Sequence, residues 1–171
     1  KTLALAAAME NRGQIYAADT DPRRLKQLDT RLTRAGARNV QSGQIDGAGA
    51  SFPGEGNILS GLNGRADRVL IDAPCSGTGA WRRNPDAKWR LTPGMLARHV
   101  ERQDRLLSRA ALLVKPGGRL IYVTCSVLRD ENEYRVAAFL AGNPEFRSIP
   151  VAEVWREALG TQCPSNAVSG D

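Results

Sequence analysis

Two apolar runs, each followed within a few residues by a cysteine, constrain this chain more than any other feature. The first lies in Asp67-Arg-Val-Leu-Ile-Asp72-Ala-Pro-Cys75-Ser-Gly-Thr-Gly79. Val69 to Ile71 is too short for a helix and rich in β-branched residues, so it reads as a buried strand. It ends on Asp72. Pro74 then withholds a ladder donor, and Gly77 and Gly79 open a loop. The second run, Leu120 to Val123, follows Gly117-Gly118 and ends at Thr124-Cys125-Ser126. A lone cysteine is most simply a small buried apolar residue. Two at equivalent strand ends, one beside a carboxylate, point instead to chemistry at the carboxyl edge of a parallel sheet, where open α/β folds bind ligands.

The rest of the chain alternates helix and strand to match. Leu3 to Met9 reads as an alanine-rich helix without an N-cap residue, ended by Asn11 and Gly13. Gln14 to Ala18 reads as a strand ending at Asp19. Asp21-Pro22 forms a good N-cap and first-turn pair for a helix from Pro22 to Ala35, with Leu25, Leu28, Leu32 and Ala35 on one face and Gly36 closing it. That leaves Asp19 free at a strand end, where an acid commonly accepts from ribose hydroxyls. Val40 begins a third strand. Residues 47–64 have loop composition. Leu96, Val100, Leu107, Ala110 and Val114 predict a helix from Pro93 to Lys115, ended by Pro116-Gly117. Its other side carries Arg98, Arg102, Arg105 and Arg109, which with Glu101 and Asp104 interleaved read as a solvated, salt-bridged face. Asp130 and Glu133 suggest a capping box opening a helix through Leu140. Residues 150–171 carry no clear signal, and Cys163 has no evident partner.

At 171 residues the chain is one domain's worth, long enough to bury a core. The net charge of +6 favours a polyanionic partner. Its three cysteines lack framework spacing, which argues for a reducing, cytoplasmic setting, and one histidine makes a metal site an unfavourable expectation. No run is long enough for a transmembrane helix, so no membrane partner is expected. The segment from Trp81 to Trp89 holds the cations Arg82, Arg83 and Lys88 together with its two tryptophans. That composition suits an RNA backbone groove with a stacked base, while one tryptophan is expected to anchor the loop on the core.

Asp72-Ala-Pro-Cys75-Ser-Gly-Thr-Gly79, Arg82-Arg-Asn-Pro-Asp-Ala-Lys-Trp89, and Thr124-Cys125-Ser126 with Glu131-Asn132-Glu133 together resemble the Sun/Fmu-type RNA (cytosine-5) methyltransferases. The resemblance runs from Lys1 to about Phe139 and keeps three separated motifs in order. It implies an α/β, Rossmann-like S-adenosylmethionine-dependent methyltransferase fold, with a mostly parallel sheet and helices on both faces. Residues 1–171 would be one partial catalytic domain, truncated at both ends. In that family the first helix follows a strand and a turn ending Gly-Gly-Lys-Thr, of which Lys1-Thr2 stands here. The strands ending at Asp19 and Asp72 are therefore expected to lack a shared neighbour.

The implied cofactor is S-adenosylmethionine, held by Lys1, Asp19, Asp72 and either Gln44 or Asp46, because the family's acid at the third strand is replaced here by Gln44. The implied partner is RNA, ribosomal or else transfer RNA, bound through Arg82, Arg83 and Lys88 by a protein monomeric when complete. Carbon-5 of cytosine is too weak a nucleophile until a thiolate adds to carbon-6, which makes the reaction covalent catalysis. An ordinary thiol with pKa ~8.5 is only about 3% ionised at pH 7. Spacing alone leaves open which cysteine attacks. The resemblance implies Cys125 as nucleophile, Cys75 in adduct release and Asp72 stabilising the ring near nitrogen-3. In DNA cytosine-5 enzymes the Pro-Cys cysteine attacks and a Glu-Asn-Val stretch follows, which is absent here. An amino-methylating enzyme would carry Pro and Tyr where Ala73 and Cys75 stand. A dehydrogenase would show Gly-x-Gly-x-x-Gly after a strand. A non-catalytic RNA-binding domain is the remaining alternative from another class.

Overall fold

The computed structural model describes residues 1–45 and 58–164. Helix α1 spans Thr2–Ala8, strand β1 Ile15–Asp19, helix α2 Pro22–Arg34 and strand β2 Val40–Gln44. The Asp21 carboxylate accepts from Arg23 N–H at the head of α2, and Pro22 occupies the first turn, where its missing N–H costs nothing. Gly36, at φ +65°, ends the helix in the left-handed conformation that glycine adopts freely. Leu25 and Leu32 bury one face of α2, and β1 and β2 pair in parallel with Asp19 opposite Gln44.

The second half repeats the unit. Strand β3 spans Ala66–Asp72, the short helix α3 Ala87–Arg90, helix α4 Pro93–Ala111 and strand β4 Val114–Val123. Helices α5, Glu133–Gly142, and α6, Val151–Leu159, follow. Ile71, Ala73, Leu107 and Ala110 form a buried cluster, joined by Val69, Leu106, Leu120, Tyr122 and Phe139. A leucine buried as fully as Leu107 contributes about 1.5–3 kcal/mol, so α4 is fixed against β3 and β4 by this seam.

Three expectations change. Helix α4 stops at Ala111, because Val114 leaves the helix to pair with Ala66 in the sheet. Pro116-Gly117 therefore does not end a helix. It forms an irregularity inside β4, with Gly117 at φ +74°, before Arg119 resumes pairing with Arg68. The capping box does not form. Asn132 stands at the N-cap of α5 without a capping side-chain bond, since its amide is engaged elsewhere. The C-terminal stretch, which carries no clear sequence signal, contains α6, tied to β4 by an Arg119–Glu157 ion pair of 2.6 Å.

Among the described residues the strands form two separate parallel pairs, β1–β2 and β3–β4. The strands ending at Asp19 and Asp72 fall in different pairs. Lys1, at the head of α1, reaches Asp72 at the end of β3 with a 2.8 Å ion pair.

Candidate active site

The strand pairing decides where the cysteines meet. Asp72 lies opposite Val123 at the carboxyl ends of β3 and β4, and Ala73 N–H extends the ladder to Val123 O at 2.9 Å. Each chain then turns, and within three residues each presents a thiol. Cys75 Sγ and Cys125 Sγ lie 3.3 Å apart. The two loops are also joined by hydrogen bonds. Gly79 N–H donates to Cys125 O at 3.0 Å, and Val127 N–H donates to Thr78 Oγ1 at 2.9 Å. A Cβ on Gly79 would stand 2.8 Å from Cys125 O, so only glycine permits this approach.

The thiols are not equivalent. Cys125 is exposed and Cys75 half-buried. Burial pushes the Cys75 thiol up, and the neighbouring Cys125 thiol adds to the effect. Cys75 is thereby held protonated.

Beneath the thiols lies a polar cluster that the sequence motifs do not reveal. Glu131 and Gln103 have no exposed surface. Ser76 donates its N–H to Glu131 Oε1 at 2.8 Å, and its hydroxyl to Glu131 Oε2. Gln103 Nε2 reaches Pro74 O at 2.9 Å and Glu131 Oε1 at 3.1 Å. Burial alone would raise the Glu131 pKa. Hydrogen bonds from Ser126, Ser76 and Gln103 outweigh it and hold the carboxyl below the usual range. Burial, joined by the charge of Glu131, pushes the Tyr122 phenol upward, and Tyr122 Oη donates to Glu131 O at 2.8 Å. The signal for Gln103 was its spacing: it falls between Val100 and Leu107 on the apolar face of α4.

The expected cofactor residues divide into two groups. Lys1 and Asp72 form the ion pair between α1 and β3. Asp19 and Gln44 stand side by side across β1 and β2, where Asp19 Oδ1 accepts from Asp21 N–H at 2.9 Å and Gln44 Nε2 donates to Thr20 O at 3.3 Å. Asp46 lies outside the described residues. The carboxylates at the carboxyl ends of β1 and β3 each have a cation beside them, Arg24 at 3.7 Å from Asp19 and Lys1 at 2.8 Å from Asp72. They supply acceptors for hydroxyl and amino groups and fit a nucleoside bearing an amino-acid chain.

Arg82, Arg83 and Lys88 lie exposed on the segment that follows Gly79, with Lys88 in α3, so this segment is not a plain loop. The tryptophans part company as expected: Trp81 is half-buried, while Trp89 is 83% exposed with Lys88 Nζ 5.5 Å from its ring centre. On α4, Arg105 pairs with Glu101 at 3.0 Å and Asp104 with Arg135 at 2.7 Å, so the interleaved charges do form salt bridges.

The fold is that of a Rossmann-like S-adenosylmethionine-dependent methyltransferase domain. A family described as 16S rRNA methyltransferase RsmB/F matches residues 1–167, and the chain belongs to it. Ribosomal RNA small subunit methyltransferase B of Sodalis glossinidius is 37% identical over 158 residues, 92% of this chain and 34% of that protein. Ribosomal RNA small subunit methyltransferase F of Cronobacter sakazakii is 35% identical over 147 residues, 85% of this chain and 28% of that protein. Among solved structures, PH0851 superposes with a TM-score of 0.80 at 40% identity, covering 88% of this chain and 32% of that one. NSun6 from Pyrococcus horikoshii, solved with SFG, gives 0.70 at 28% identity, covering 82% and 34%. The chain thus spans about a third of the length of these relatives.

Proposed function

We propose that the protein carrying this chain methylates carbon-5 of cytosine in small-subunit ribosomal RNA through a covalent adduct on Cys125. The observation that carries this reading is the pair of thiols 3.3 Å apart at the carboxyl ends of paired strands. The names of the relatives support the RNA class, and SFG, an S-adenosylmethionine analogue bound by one structural neighbour, supports the cofactor.

Lys1, Asp19, Asp72 and Gln44 would hold S-adenosylmethionine, which supplies the methyl group when bound. The exposed Cys125 thiolate adds to carbon-6 of the cytosine, forming a C–S bond and loading electron density onto carbon-5 and nitrogen-3. Asp72, at the adjoining strand end, is the group assigned to the nitrogen-3 side. Cys75 is held protonated by burial and by the Cys125 thiol beside it. Once the Cys125 sulfur is committed to carbon-6 the second contribution is gone, so the Cys75 thiol ionises more readily and releases its own proton to solvent. As the thiolate, it takes the carbon-5 proton after carbon-5 has gained the methyl group. Loss of that proton restores the 5,6 double bond and expels the Cys125 thiolate. Arg82, Arg83 and Lys88 contact RNA phosphates, with Trp89 offering an open ring for stacking.

The test uses the full-length protein, 16S rRNA transcripts and methyl-labelled S-adenosylmethionine. Expected are 5-methylcytosine in the digested RNA and a protein–RNA adduct with transcripts containing 5-fluorocytidine, where no carbon-5 proton can leave. Label on another atom, or on transfer RNA alone, overturns the proposal. RNA binding without transfer would favour a non-catalytic domain.

A further inference from the structure

Cys75 and Cys125 sit on irregular backbone, and unbraced loops do not hold two sulfurs at such close range. The bracing converges on two consecutive residues, Glu131 and Asn132, at the end of a 3-10 turn spanning Arg129–Glu131. Glu131 grips the Cys75 side: it accepts from the Ser76 amide and hydroxyl directly, and Gln103 links it to Pro74 O. Residues on each side of Cys75 are thereby fixed to one buried carboxylate. Asn132 grips the Cys125 side. Its Nδ2 donates to Ser126 O at 3.0 Å and Leu128 O at 2.8 Å, and its Oδ1 accepts from Thr124 Oγ1 at 2.7 Å. Residues on each side of Cys125 are fixed to one amide.

We propose that Glu131 and Asn132 are a paired positioning device that sets the separation of the two thiols. Because the two residues are adjacent in the chain, a displacement of one loop is resisted by the anchor of the other. Among the described residues neither side chain hydrogen-bonds to a sulfur, so both act through the loops. The chemistry of the partners explains the residue types. Donors converge on Glu131 from the Ser76 amide, the Ser76 hydroxyl, the Ser126 hydroxyl and Gln103, and an ionised carboxylate is an acceptor only. The free oxygen of Gln103, Oε1, has no hydrogen bond, so that amide is oriented entirely by the two acceptors it serves. An amide at position 131 would bring two donors to a site already filled with donors. At position 132 the demand is mixed, two carbonyls and one hydroxyl, which an amide meets and a carboxylate cannot. This role for thiol placement rests on the proposed dithiol reaction, but it can be measured without that reaction.

The experiment measures disulfide formation between Cys75 and Cys125 in the full-length protein treated with diamide, which takes up the two protons and two electrons released as the S–S bond forms. Peptide mass spectrometry quantifies the bridge, and maleimide labelling of each thiol separates reactivity from placement. In Glu131→Gln the bridging rate is expected to fall at least tenfold, while labelling of each thiol changes less than twofold and S-adenosylmethionine affinity is retained. Asn132→Asp probes the other half with an isosteric change and should show the same pattern, which keeps the proposal testable if the first variant does not fold. Ser76→Ala, which removes one of the donors and keeps the Ser76 amide, should give a smaller loss. Unchanged bridging in a folded variant at either position overturns the positioning role. Wild-type enzyme that bridges as expected but never methylates cytosine would overturn the reaction while leaving the positioning role supported.

Discussion

Cys75 and Cys125, fifty positions apart in the chain, bring their sulfurs to 3.3 Å because parallel pairing sets Asp72 opposite Val123 and both strands break immediately afterwards. Their environments differ. One thiol is open to solvent, and the other is half-buried and held protonated. That asymmetry favours Cys125 for attack in the proposed reaction and leaves Cys75 for the later proton removal, which it performs only after losing its own proton.

Replacing each cysteine should therefore give different failures. In the full-length protein Cys125→Ser should abolish methyl transfer and form no adduct. Cys75→Ala should accumulate a covalent RNA adduct that is not released. Denaturing gels with labelled RNA distinguish the two, and a persistent adduct in Cys125→Ser with none in Cys75→Ala would reverse the assignment.

The pH response of Cys75 follows from the direction of its shift. Its folded pKa is raised above that of an ordinary thiol, by burial first and by Cys125 second. Iodoacetamide labelling of Cys75 should accordingly reach its midpoint at higher pH than a free cysteine. In Cys125→Ala the midpoint should move part of the way back, because burial, the larger cause, remains. By linkage, the stability associated with Cys75 is complete below the unfolded value and is lost as pH rises through the folded one. Thermal melts of wild type and Cys75→Ala across the alkaline range would show this as a steeper decline in the wild type.

The cations beside the exposed tryptophan are expected to contribute by neutralising phosphates. Replacing Arg82, Arg83 and Lys88 together with glutamine should make RNA binding less salt-dependent, by a log–log slope of roughly 0.7 for each phosphate left unneutralised. Binding titrations across a salt series would check this. An unchanged slope would make these residues ordinary solvated surface.

Gly79→Ala should damage the junction between the two cysteine loops. Its Cβ would stand 2.8 Å from Cys125 O, and backbone on both sides leaves little room to yield. A destabilisation of about 1–3 kcal/mol is expected for overpacking of this kind, measured by denaturant unfolding, together with slower methyl transfer. A stability equal to wild type would show that the loops relax freely.

Much of this arrangement was determined locally, and local features are what a sequence displays. The Asp21-Pro22 start of α2, the two apolar strands and their cysteine ends all follow from steric and hydrogen-bonding preferences acting within a few residues. The end of α4 did not. Val114 continues the helical apolar spacing, but pairing with Ala66 takes it into β4, and Pro116-Gly117 becomes an irregularity within a strand. Asp130 and Glu133 have capping-box spacing, yet the chain there is shaped by Asn132 reaching back to the Cys125 loop. Glu131, a carboxylate evident in its motif, is fully buried beneath the thiols. Its partners Ser76, Gln103 and Tyr122 come from a loop, a helix and a strand, and no spacing in the chain announces that they converge. Sequence alone determined that two thiols and a carboxylate would stand at strand ends. Only the tertiary structure decided how far apart the thiols lie and which one is buried, because those depend on the register between β3 and β4 and on buried donors that must find an acceptor once water is excluded.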